Sequence, residues 1–155
     1  MTQDASFLDG GDKPLNIAAH DAEDLQVLSS LSQDAIFPVT EMMWDAKARR
    51  FGILINRYRW ELPQSAASKP ERVQSVLAFD NVEAVSSQGV DRADTETVMS
   101  LLSITFEESD APSGLLTLVL AGDGAIRLKV EALEARLRDV TRPYAAPSGK
   151  SPTHA

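Results

Sequence analysis

The chain has no cysteine among its 155 residues, which excludes disulfides, thiolate metal sites and a cysteine nucleophile together. Histidine is almost as scarce: there are only His20 and His154. His154 is the penultimate residue, and His20 precedes a helical pattern with Asp24 four residues on. Two such ligands do not make a metal site, and a serine–histidine–acid triad would have to run through His20. No serine stands in a Gly-x-Ser-x-Gly elbow, and the phosphate-cradling glycine loops are missing. The lysines, Lys13, Lys47, Lys69, Lys129 and Lys150, all stand in polar contexts. The acidic groups Glu107, Glu108, Asp110 and Asp91, Asp94, Glu96 lack the spacing of a calcium loop. The expectation is therefore no catalytic residue, no metal ligand set and no cofactor.

No apolar stretch approaches the ~20 residues that span a bilayer. The N-terminal residues show no basic region followed by an apolar run. A cytoplasmic protein with no membrane insertion is the plain expectation. Positive charge is also short, with 15 Lys and Arg against 23 Asp and Glu and a net charge of −8, which argues against nucleic acid as a partner. The imbalance is uneven. Residues 47–60 carry Lys47, Arg49, Arg50, Arg57 and Arg59 and no acid, leaving 10 basic against 23 acidic residues elsewhere, a balance of −13.

What the chain does contain is alternation. Leu116, Leu118 and Leu120 fall on one strand face, and Ile126, Leu128 and Val130 on another, joined by Gly122-Asp123-Gly124. Here glycine supplies the positive φ of a hairpin turn. Further strands are expected over 36–44, over 51–60 with Phe51, Ile53 and Ile55 on one face, at Val73, Leu77 and Phe79, over 82–87, and at Leu102, Ile104 and Phe106. The last of these should end in a loop over 107–113. Asp21 is placed to cap a helix over 22–31, with Glu23 and Asp24 in the first turn and Leu25, Leu28 and Leu31 as its apolar stripe. Val130, Leu133, Leu137 and Val140 recur at helical spacing and predict a second, C-terminal helix. A mobile loop is expected over 61–70.

These elements give one globular domain over 15–140, with flexible tails over 1–14 and 141–155. The fold class is α+β: a bent, mostly antiparallel sheet of about seven short strands, an N-terminal helix and a C-terminal capping helix. The element order matches a pleckstrin-homology-like barrel by analogy alone.

The strongest functional candidate is Arg57-Tyr58-Arg59-Trp60, with Arg49 and Arg50 nearby. Interleaved guanidinium and aromatic groups can grip an anion and stack a planar group, and they anchor protein interfaces. The blander alternative is that the aromatics pack while the arginines pair with acids of the same chain. The leading functional expectation is a non-enzymatic binding or regulatory module that meets an anionic protein partner through this basic and aromatic hairpin. A second is a small-ligand protein or enzyme with a carboxylate and arginine pocket between sheet and helix, to which Arg92 or Arg127 would contribute. A third is a homo-oligomer assembled through an uncovered sheet edge.

Asp21-Ala-Glu-Asp-Leu25, Asn56-Arg-Tyr-Arg-Trp-Glu61, Gly89-Val-Asp-Arg92 and Gly122-Asp-Gly-Ala-Ile-Arg-Leu128 occur in order across residues 15–140. Together they resemble a small bacterial family catalogued as domain of unknown function 2948. The resemblance implies no activity, cofactor or catalytic residue.

Overall fold

The computed structural model describes residues 13–62 and 70–145. Along the chain these residues form β1 (Asn16–Ala19), α1 (Ala22–Ser32), β2 (Ile36–Pro38), a 3-10 turn (Val39–Glu41), β3 (Met42–Asp45), β4 (Arg50–Tyr58), β5 (Glu71–Phe79) and β6 (Val82–Gln88). There follow β7 (Val98–Asp110), β8 (Ser113–Leu120), β9 (Ala125–Val130), β10 (Ala135–Asp139) and β11 (Tyr144–Ala145). The strands make one antiparallel sheet in the order β1-β10-β5-β4-β2-β7-β8-β9-β6, with β3 added to β4 and β11 to β5.

Period-two burial explains most of this arrangement. Phe51, Ile53 and Ile55 of β4 face inward, as do Leu116, Leu118 and Leu120 of β8 and Ile126, Leu128 and Val130 of β9. They join Leu25 and Leu28 of α1 in one apolar core. The helix begins where its cap requires: the Asp21 carboxylate accepts from Asp24 N at 2.8 Å. It is fixed to the sheet by the Ser29 hydroxyl, which accepts from Ile104 N at 2.9 Å. In the β8–β9 turn both Gly122 and Asp123 have positive φ, at 78° and 66°.

The fold class expected from sequence is overturned. Among the described residues there are eleven strands and one α-helix, not about seven strands with helices at both ends. The C-terminal capping helix is absent, and with it falls the pleckstrin-homology-like analogy. Residues 131–134 form a turn, and Ala135 and Leu137 are buried while Arg136 and Arg138 are exposed. That is a strand pattern, and β10 takes it because it lies between β1 and β5 with partners on both sides. Ladder pairing on two edges outweighs the helix propensity of this leucine-, glutamate- and arginine-rich stretch.

Three smaller differences have local causes. The extended run expected over 36–44 is interrupted at Pro38 by the 3-10 turn, giving β2 and β3. Strand β7 runs on to Asp110 through residues expected as loop, because Glu107 and Glu108 pair with Leu115 and Gly114 of β8. Within the stretch expected as C-terminal tail, Tyr144 and Ala145 pair with Arg72 and Glu71. The rest of both tails, residues 1–12 and 146–155, and most of the expected mobile loop, residues 63–69, lie outside the described residues.

The sheet curves until its last strand returns towards its middle. Val82 N, at the start of β6, donates to Arg49 O in the β3–β4 turn at 2.9 Å. Beyond this contact the outer edges of β3 and β6 have no strand partner among the described residues.

Candidate functional site

Arg57 of β4 and Arg59 at its exit are turned inward. Arg57 follows Phe51, Ile53 and Ile55 on the core face of the strand, and its side chain has no exposure. Neighbouring strands place Ser75 and Asp139 on the same inward rows, paired across β5 and β10. Arg57 Nη1 and Nη2 each donate to a Glu61 carboxylate oxygen at 2.8 Å. Its Nε and Nη2 donate to Oδ1 and Oδ2 of Asp139 at 3.1 Å. Ser75 Oγ completes the layer, accepting from Arg57 Nε at 3.1 Å and donating to Asp139 Oδ1 at 2.7 Å. Asp139 Oδ2 also accepts from Leu15 N at 2.8 Å, so one guanidinium gathers β4, β5, β10 and the approach to β1.

Burial opposes the charge of Arg57, but hydrogen bonds and attraction from Glu61, then Asp139, outweigh it and raise its pKa. Burial likewise pushes Glu61 up, yet its bonds and attraction to Arg57, with Arg59 adding, hold it below the ordinary carboxylate value. Arg59, 2% exposed, donates from Nη1 to Glu71 Oε1 at 2.6 Å. Its Nε is buried without a hydrogen bond, 3.8 Å from Glu61 Oε2.

The other residues of the sequence candidate are also occupied. Tyr58 is buried against Trp60, their rings edge to face with centroids 4.7 Å apart. The Trp60 indole N–H donates to Gln33 O at 2.8 Å. Arg49 pairs with Glu131 at 2.5 Å, and Arg50 with Asp80 at 2.7 Å. Both of these are exposed pairs, which contribute little to stability, and they link the β3–β4 turn to the turns beside it. The six residues therefore do not form one exposed surface. Arg57, Tyr58 and Arg59 lie in the interior, and the two arginines are answered by Glu61 close by in sequence, by Glu71 and by the distant Asp139. This could have been read from the alternation: the row Phe51, Ile53, Ile55 puts Arg57 on the core face.

The open feature lies elsewhere. A cavity of about 370 Å³ occupies the gap between β3 and β6, within the 300–1,000 Å³ range of ligand sites. Its walls are Met42 and Trp44 of β3, Phe51 of β4, Val85 of β6 and Ile126 of β9, with Arg92 at the lip. Thr40, Ser86 and Ser87 add hydroxyls. Arg92 is the one ionisable residue of the lining, and it makes no ion pair among the described residues. Its loop is held by two side-chain turns, with Asp91 Oδ1 accepting from Ala93 N at 3.0 Å and Asp94 Oδ1 from Glu96 N at 3.1 Å. A further bond from Val39 N to Thr97 O at 3.0 Å ties the loop to the 3-10 turn. Gly89, which opens the loop, has φ +67°, and a Cβ there would stand 3.0 Å from Gly124 Cα. Trp44 remains 37% exposed and Met43 beside it 70%.

This cleft differs from the pocket expected between sheet and helix. It lies between two strand edges, and no carboxylate of the described residues lines it. Arg127 does not line it and donates to Gln88 Oε1 at 3.0 Å. A groove of about 480 Å³ does run between α1 and β7, but no charged residue lines it among the described residues. No cluster of metal-ligating side chains occurs among the described residues, and none of their helices is long and apolar enough to cross a membrane.

Comparison with the curated proteins and with the solved structures finds no match to this chain. The family model described as "Protein of unknown function (DUF2948)" matches residues 15–154, a span that takes in the buried arginine layer and the cleft alike, and the chain belongs to that family.

Proposed function

We propose that the chain is a binding module that holds an anionic partner by an apolar group in the cleft between β3 and β6. The observation that carries this reading is Arg92, without an ion pair among the described residues, at the lip of a mostly apolar cavity that no carboxylate of those residues lines. An arginine is charged at every physiological pH and neither gives nor takes a proton there. Such a lining binds and orients, and it offers no group for acid–base chemistry. Trp44 supplies a flat apolar wall, and the hydroxyls of Thr40, Ser86 and Ser87 can receive polar atoms of the partner.

The test is a fluorescence titration with anilinonaphthalene sulfonate, an aromatic anion whose emission rises in an apolar site. Wild type is expected to bind it. Arg92→Glu and Trp44→Ala, each checked for native circular dichroism, should weaken binding about tenfold or more, equivalent to ~1.4 kcal/mol. Equal affinity in all three proteins would place the dye elsewhere and end the cleft reading.

A further inference from the structure

Both walls of the cleft are strands with an unpaired edge. Among the described residues β3 pairs only with β4, and β6 only with β9. Exposed strand edges are templates for another strand, and proteins usually blunt them with charge, proline or extreme shortness. β1, the other end of the sheet order, is only four residues long. β6 is less protected. Its register shift and its one charged residue, Glu83, lie at the start, and residues 84–88 (Ala-Val-Ser-Ser-Gln) have neither charge nor proline. The backbone of this stretch pairs only with β9 among the described residues. Ala84, Ser86, Ser87 and Gln88 are exposed and small or polar, leaving the edge accessible.

From this we infer that the partner is an extended acidic segment of another protein, added as a strand along residues 84–88 of β6. The inference rests on the cleft reading above and specifies its occupant. Main-chain hydrogen bonds to the β6 edge would supply affinity, and alternate side chains would supply specificity. An apolar side chain of the segment would enter between Trp44 and Val85, and a carboxylate would meet Arg92, the one charge that the described residues bring to the lining. An acidic segment fits for that reason, and a basic one would leave two like charges together at the lip.

The test screens a random synthetic heptapeptide library for displacement of bound anilinonaphthalene sulfonate. Supporting results are selected peptides that alternate apolar residues with at least one acid, that lose tenfold or more in affinity for Arg92→Glu, and that slow hydrogen exchange in residues 84–88. N-methylation of alternate peptide amides, which removes strand donors without altering the protein, should cost a further tenfold or more. Four results would overturn the inference: affinity unchanged within twofold by N-methylation at every position; selected peptides without acids that bind Arg92→Glu as well as wild type; no displacing peptide although the dye binds; or sedimentation as a dimer whose 84–88 amides are already protected. The third of these leaves the cleft reading intact, whereas failure of the dye to bind wild type removes that reading itself.

Discussion

Two arginines of this chain, Arg57 and Arg92, show opposite uses of one side chain. Arg57 has no exposure and meets two carboxylates and a serine hydroxyl. Arg92 is exposed at the mouth of an apolar cleft and has no acid partner among the described residues. A guanidinium can enter a core only when its charge and donors are answered there, and once answered it has nothing left for a ligand. Concentration of basic residues in sequence is thus a poor guide to a binding surface. The arginines of the richest cluster, residues 47–60, pair with acids of the fold, while the charge at the cleft is Arg92, which stands between two acids, Asp91 and Asp94, that fold back on their own loop.

The largest expected effect follows from breaking the buried pair. Arg57→Ala leaves Asp139, 3% exposed, without its cation and Glu61 with the longer contact to Arg59 at 3.8 Å, and it should cost ~3–5 kcal/mol in urea unfolding. Arg57→Met, which fills the same space, should cost nearly as much, because the carboxylates left behind rather than the cavity dominate. A loss below ~1 kcal/mol, the size of an exposed pair, would remove the distinction drawn between the two arginines.

A smaller effect sharpens the comparison through pH. The folded state holds Glu61 below its ordinary value, so its contribution to stability is complete above the unfolded pKa near 4.3 and is lost as pH falls through the folded one. Wild type should lose stability steeply below roughly pH 5. Glu61→Gln should be weaker at neutral pH and show a shallower acid decline, measured as urea midpoints across that range. Identical slopes would mean that Glu61 does not sense the fold.

The smallest expected effect is at the cleft. Arg92→Ala and Trp44→Ala should each change stability by no more than ~0.5 kcal/mol, the usual range for surface positions, while altering ligand affinity as described above.

Much of the sheet was legible because strands β4, β5, β8 and β9 each bury one face and alternate cleanly. The helix was legible from Asp21 and its first-turn acids, and Ala22–Ser32 is within one residue of the expected span. The C-terminal element was not. Val130, Leu133 and Leu137 satisfy a helical period, while Ala135, Leu137 and the buried carboxylate of Asp139 satisfy a strand period, and only the vacancy between β1 and β5 decides. The inward turn of Arg57 was legible in its row. Glu61 stands only four residues on, but the other partners were not legible, since Ser75 and Asp139 come from strands 18 and 82 residues away. The cleft is a product of sheet curvature that brings β6 back to β3, and no local pattern encodes that approach.

The most direct test of this division between the two arginines is a paired measurement on Arg57→Ala and Arg92→Ala: urea midpoint and affinity for anilinonaphthalene sulfonate on the same preparations. Arg57→Ala should lose several kcal/mol of stability and, wherever it remains folded, bind the dye like wild type. Arg92→Ala should unfold like wild type and bind the dye about tenfold more weakly, a difference of ~1.4 kcal/mol. The opposite pattern, or equal losses of both properties in both variants, would contradict it.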